Sequence, residues 1–285
     1  MRKKLLVLGA FVSVVMLVSC TGSKKEAVTY TPEEIADAGQ VVKYYDTSLA
    51  LLKNLVKERD VNAVLGYMEQ QAKVQMFSHI MSPVISKKDS AAVMQPGDYF
   101  GDDVRQNLIQ NYTELFQSRG QFYANFNKYL SLLKEKKTEG IADLLNDNYE
   151  LSVEMSECKQ NIFDILSPIV AQAQQVLLAE NPVKEQIIAM KKMSLTMQSI
   201  INQIYARKHV EDKVRLDLKI VELRLQLDAA EKLPAVKGHE EQTEKFKDFL
   251  SKTEKFMKIV QDIRQKNSYT EDDFDEISSY GLSII

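Results

Sequence analysis

Long, unbroken helical periodicity constrains this chain more than any other feature. Leu108, Tyr112, Leu115, Arg119, Phe122, Phe126, Tyr129 and Leu133 alternate spacings of four and three, and Ile109, Phe116, Tyr123 and Leu130 repeat at sevens beside them. At about 3.6 residues per turn, this is a wide apolar and aromatic stripe along one side of a helix. A stripe of that width is buried only by packing against neighbouring helices.

The same spacing recurs along the chain. Thr31-Pro32-Glu33-Glu34 supplies an N-cap, a proline at the first helical position and acids facing the helix dipole. A seam of Ile35, Ala38, Val42, Tyr45, Leu49, Leu52 and Val56 follows. Asp60 is expected to cap a second helix carrying Val61, Val64, Leu65, Met68, Ala72 and Met76, ending before Pro83. Residues 82–101, with Pro83, Pro96-Gly97 and Gly101, read as the longest loop, either functional or simply a connection. A helix from about Thr138 carries Ile141, Leu144, Asn148, Leu151, Met155, Cys158, Ile162, Ile165 and Ile169, with a kink expected at Pro168.

Asn181-Pro182 reads as a break and restart, followed by Val183, Ile187, Met190, Met197, Ile201 and Ile204. The seam then loses register through Arg207 and Lys208, by a turn or by a phase slip. Leu216-Asp217-Leu218-Lys219-Ile220 and Leu223-Arg224-Leu225-Gln226-Leu227 alternate as a strand would. Helix is the better reading, because Leu216, Ile220, Leu223 and Leu227 also keep helical spacing and the flanks lack turn residues. After a Pro234–Gly238 loop, a last long helix carries Phe246, Phe249, Thr253, Phe256, Val260 and Ile263. Thr270-Glu271-Asp272-Asp273 caps a short terminal one. The expected fold is all-α, an elongated bundle of long antiparallel helices with coiled-coil-like seams, either undivided or subdivided near residue 181 or 234.

The N-terminus adds a targeting signal. Met1-Arg2-Lys3-Lys4 is followed by an uncharged run from Leu5 to Val18, too short to span a bilayer but suited to a signal peptide. Leu17-Val18-Ser19-Cys20 resembles the lipobox of bacterial lipoproteins, which implies cleavage between Ser19 and Cys20 and lipid on Cys20. A plain cleavable signal and an uncleaved anchor are the alternatives. On this reading residues 1–19 are the leader, 20–30 a lipidated tether and 31–285 the helical domain. Sorting rules carried over from such lipoproteins turn on Thr21-Gly22-Ser23-Lys24-Lys25. The absence of Asp at the second position favours the outer membrane of the cell envelope, and the absence of an acidic run of the kind linked to surface export favours a periplasm-facing protein.

Removing the leader takes three of the 37 basic side chains, leaving 34 against 40 acids, a formal charge of −6. That balance argues against nucleic acid as a partner. With Cys20 acylated only Cys158 remains, so no intramolecular disulfide forms and packing holds the fold. Phosphate-loop, dinucleotide, zinc-protease, serine-hydrolase and dithiol signatures are absent, so no cofactor or metal is expected and an enzyme is disfavoured.

His79, His209 and His239 lie far apart and read as surface or helix-end residues. Cys158 reads as a small apolar core group rather than a reactive thiol. Arg119 and Asn148 sit on apolar seams, where they fix register, mark a crevice or face solvent. The acids 271–273 and 275–276 suggest loose cation binding, or only the preference of a helix N-terminus for acids.

The lipobox, the tether and the helical remainder, with Tyr99-Phe100-Gly101-Asp102-Asp103, resemble the YiiG-like bacterial lipoproteins, a family defined by a domain of unknown function. There a Tyr-x-x-Asp-Asp step leads into a long helix. Asp102 and Asp103 are equally explained as helix caps, and the resemblance implies no activity. The expectation is a non-enzymatic envelope lipoprotein, anchored through Cys20, that binds another envelope protein or acts as a structural adaptor. The alternative is an apolar small-molecule or lipid carrier with a groove lined by Tyr112, Phe116, Tyr123 and Phe126.

Overall fold

The computed structural model describes residues 29–70, 84–205, 210–266 and 270–280. Among them are nine helices and no strand: α1 (Pro32–Leu55), α2 (Glu58–Glu69), α3 (Lys87–Val93), α4 (Asp102–Lys134), α5 (Ile141–Leu177), α6 (Lys184–Tyr205), α7 (Val210–Ala230), α8 (Glu240–Arg264) and α9 (Glu271–Ser278). The leader with Ser19 and Cys20, the tether to residue 28, Ala72, Met76, His79, Pro83, His209 and the register slip at Arg207 and Lys208 lie outside the described residues.

Helix α1 starts as its sequence requires. Thr31 accepts from the Glu34 amide, and the Glu34 carboxylate accepts from the Thr31 amide, a reciprocal capping box with Pro32 just inside it. The buried face is wider than a heptad seam: Val41, Tyr44, Ser48, Leu51 and Leu55 join Ala38, Tyr45 and Leu52, whereas Ile35 in the first turn is exposed. The N-cap of helix α2 falls three residues before the expected one. Lys57 takes the N-cap position and Asp60 sits in the first turn, paired with Lys57 at 3.4 Å.

The stretch expected to be a loop contains α3, capped by Ser86, which accepts from the Asp89 amide. It packs because Val93 and Phe100 are fully buried, and because the Tyr44 hydroxyl donates to the Val93 carbonyl at 2.7 Å. Arg105 closes the segment, donating to the Pro96 carbonyl at 3.2 Å and pairing with Asp98 at 2.8 Å. Gly101, not Asp102 or Asp103, occupies the N-cap of α4, and the two acids fill its first turn.

Helices α4 and α5 form the central hairpin. Helix α4 ends in a Schellman turn: the Lys137 amide donates to Leu132 and the Lys136 amide to Leu133, with Lys136 in the left-handed region at φ 55°. Gly140, at φ 78°, is the N-cap of α5, so the helix starts at Ile141, three residues inside the expected boundary. Helix α5 runs 37 residues, about 55 Å at 1.5 Å per residue, and passes Pro168 without interruption. Pro168 is exposed, and Ser167 beside it donates its hydroxyl back to the Phe163 carbonyl.

Two cores divide the chain. Helices α1–α5 enclose the first, built on Leu65, Met68, Leu108, Tyr112, Leu115, Phe122, Met155, Ile162 and Leu166. Helices α6–α9 enclose the second, around Met193, Met197, Ile200, Leu223, Leu227, Phe256 and Ile277. The turn after Leu177 folds α6 back along α5, and the Asn181 side chain holds that turn by accepting from the Val183 amide at 3.0 Å. Leu195 reaches from α6 into the first core.

Candidate functional site

Three places carry the chemistry. The first is the aromatic stripe of α4. Tyr112 and Phe126 are core residues, 0% and 3% exposed, and Phe116 and Tyr123 are half-buried beside them. Tyr112 stacks on Phe116 with ring centroids 6.1 Å apart, and Phe126 packs against Tyr67 and Tyr129. None of the four lines the pocket described below. Arg119 and Asn148, polar on these seams, are buried, and each donates to a backbone carbonyl. Arg119 donates to the Leu55 carbonyl at 3.1 Å and lies 4.9 Å over the Tyr123 ring. Asn148 donates to the Phe122 carbonyl at 3.1 Å and contacts the Met68 sulfur at 3.3 Å.

Cys158 is 3% exposed, facing the Glu114 carboxylate at 3.9 Å. Burial, with the negative charges of Glu114 and Glu154, pushes its thiol up to about 12. Such a thiol stays protonated and unreactive near neutrality. His239 stands at the N-cap of α8, its carbonyl accepting from the Thr243 amide. At the acidic end, Thr270 and Asp273 cap α9 reciprocally and Lys266 pairs with the Asp273 carboxylate, which these donors hold down at about 2. Among the described residues, no three His, Cys, Asp or Glu side chains gather as a metal ion requires.

The second place is the junction of α5, α6 and α7, which encloses a pocket of about 270 Å³. Phe163, Pro168, Ala171 and Leu195 form its apolar wall, and Asp164, Ser167, Lys192, Thr196, Ser199, Lys219 and Glu222 its polar one. Asp164, Thr196, Ser199, Lys219 and Glu222 are bonded to one another or to neighbouring side chains. Gln160 donates to Asp164 at 2.8 Å and to Ser199 at 3.2 Å, and Arg215 pairs with Asp164. Gln226 donates to Thr196 at 2.9 Å and to Glu222 at 3.0 Å, and Lys219 pairs with Glu222 at 2.9 Å. No histidine or cysteine lines the pocket, and its acids are matched by cations and amides. This network ties the three helices together.

The third place is α7 itself, and the sequence reading passed over it. Leu216, Ile220, Leu223 and Leu227 face the second core. Val214, Leu218, Val221 and Leu225 are 61%, 65%, 57% and 64% exposed. Their spacings of four, three and four make a second stripe, roughly 160° around the helix from the first at 100° per residue. The strand-like alternation of leucines at 216–227 was its signal: one helix carrying two opposed apolar faces reads every second residue as apolar. Arg215 and Glu222 flank the outer stripe on one side, Asp217 and Arg224 on the other.

Fold and surface define an all-helical protein of two bundles joined through the α5–α6 hairpin, with an outward apolar helix face. The chain belongs to the family described as a domain of unknown function, DUF6845, matched over residues 32–180, followed by a DUF3829-like C-terminal domain over residues 182–285. The two matches meet where α5 turns into α6.

Solved structures from Bacteroides agree with this assignment. An alpha helical protein of Bacteroides fragilis is 52% identical, with a TM-score of 0.81, over 90% of this chain and 99% of that one. An uncharacterized DUF3829-like protein of Bacteroides thetaiotaomicron is 49% identical, with a TM-score of 0.76, over 89% and 100%. These matches bear out a domain of unknown function but carry no link to the YiiG-like lipoproteins. No curated protein matches the chain.

Proposed function

We propose that this protein is a lipid-anchored component of the bacterial cell envelope that acts by binding protein rather than by catalysis, with the outer face of α7 as its contact surface. The exposed stripe of Val214, Leu218, Val221 and Leu225 carries the reading. A chain with this much buried surface has no need of four more aliphatic side chains in one row facing water, and contiguous exposed apolar surface marks interaction sites. The Leu17-Val18-Ser19-Cys20 sequence supports the anchor, and the Bacteroides origin of the similar structures fits a bacterial envelope. Several acyl chains on Cys20 would hold the protein on its membrane, since each buried methylene contributes about 0.8 kcal/mol.

Photo-crosslinking from position 218 in native membranes tests the contact. A reproducible protein adduct, lost on moving the crosslinker to exposed Glu244 of α8, is the expected result. Equal labelling from both positions, or none from 218, overturns it. For the anchor, Cys20→Ala is expected to leave an unprocessed precursor without labelled fatty acid. Normal processing of that variant overturns the lipoprotein assignment.

A further inference from the structure

The charges beside the α7 stripe identify an occupant for it. Val214, Leu218, Val221 and Leu225 take alternate d and a positions of a short heptad seam, which makes Arg215 and Glu222 its e residues and Asp217 and Arg224 its g residues. All four charged side chains are at least two-fifths exposed or face solvent: Arg215 is 48%, Asp217 50% and Glu222 41% exposed, and Arg224 lies on the open surface. When two such helices meet antiparallel, e residues face e residues and g residues face g residues. Layering Leu218 on Val221 of the other copy and Val214 on its Leu225 then sets Arg215 opposite Glu222 and Asp217 opposite Arg224, each twice by symmetry. Parallel pairing instead sets Asp217 against Glu222 in both halves, two like-charge contacts. The outward sequence positions of the seam hold Glu211 and Asp228, which confine it to these four layers.

We propose that the outer face of α7 binds a second copy of this chain, in an antiparallel α7–α7 contact closed by a two-fold axis. This rests on the reading of that face as a protein-binding surface and names the protein it binds. A self-complementary patch is what a two-fold interface requires. Within the chain Arg215 pairs with Asp164 on α5, Asp217 with Arg264 on α8 and Glu222 with Lys219, which holds these side chains along the flanks with at least two-fifths of their surface exposed. A seam of four layers is small for a stable interface, so the dimer is one that forms and dissociates with concentration.

Sedimentation velocity of the full chain in mild detergent, over about a hundredfold range of concentration, tests this. The wild type is expected to shift from monomer to dimer, and Leu218→Lys to stay monomeric with unchanged helicity. Arg224→Asp places Asp217 against an acid, and Asp217→Arg places Arg224 against a base. Each variant alone is expected to dimerise at least about tenfold more weakly. Mixed together they restore opposite charges across the interface, so the mixture is expected to recover the wild-type dimer.

A wild type that is monomeric throughout overturns the proposal, as does a dimer indifferent to Leu218→Lys. Failure of the mixture to recover overturns the antiparallel register. If the wild type is monomeric but position 218 still crosslinks to a different protein in membranes, the adaptor reading stands and self-association falls. If neither occurs, both fall.

Discussion

Arg119, in the middle of α4, donates its Nε to the carbonyl of Leu55, the last residue of α1, at 3.1 Å and across 64 positions of sequence. The carbonyl at a helix end has no partner inside its own helix. Lys159 of α5 does the same for Val56 at 3.2 Å and pairs with Glu58 at 3.4 Å. The α1–α2 corner has no proline or glycine to make it, and two cations from the central hairpin hold it instead.

Replacing Arg119 by Met keeps an apolar stem on the seam but leaves the Leu55 carbonyl buried without its charged donor. The expected cost is about 1.5–3 kcal/mol. Urea unfolding should show it as a lower midpoint at an unchanged slope. A midpoint equal to the wild type would mean that water or another side chain already serves that carbonyl.

The aromatic stripe of α4 divides into core and flank. Tyr112 is fully buried, so Tyr112→Ala is expected to cost about 3–5 kcal/mol. Phe116 is half-buried, and its truncation should cost about half as much. Calorimetric melting of the two variants makes the comparison. Equal, small effects would point to side chains lining a groove rather than filling a core.

At the end of α4, Lys136 adopts φ 55°, a left-handed conformation that glycine takes without strain. Lys136→Gly is expected to raise stability by roughly 0.5–1 kcal/mol, because the Schellman turn is kept and the Cβ penalty removed. A lower melting temperature would show that the lysine side chain stabilises the turn in a way its backbone does not reveal.

Burial, then Glu114 and Glu154, raise the Cys158 thiol from an ordinary 9.0 to about 12. Burial drives the Tyr44, Tyr45 and Tyr112 hydroxyls upward as well. With the folded values above the unfolded ones, the native state holds protons that the unfolded chain releases. The stabilisation from these groups is complete below about pH 9 and is lost as pH rises through the folded values. Urea midpoints should therefore fall above that pH, and Cys158→Ala should make the first part of the fall shallower. The native thiol should react with a thiol reagent only as fast as the chain unfolds. Prompt labelling at neutral pH would contradict its burial.

Much of the helical framework was legible because periodicity is a local property. The seam from Leu108 to Leu133, the capping box at Thr31, the break at Asn181-Pro182 and the terminal cap at Thr270 each depend on residues within a turn or two of one another. The short helix within residues 84–101 was not legible. It has only Val93 to bury, and it is held by Tyr44 and Arg105 from other elements. Helix α5 runs on through Pro168, and the exposure of that residue is a fact of tertiary structure rather than of composition.

By itself the sequence determined that α7 is a helix and that leucine and valine lie on two sides of it. Only the tertiary structure decided which side is inside: α6 and α8 cover Leu216, Ile220, Leu223 and Leu227, and nothing among the described residues buries Leu218 or Leu225. The reason is physical. Spacing along a chain sets which side chains share a face, but the burial of a face depends on a neighbour brought to it from elsewhere in the chain. The same holds for Arg119, whose place on an apolar seam was visible, while its partner at Leu55 came from another helix.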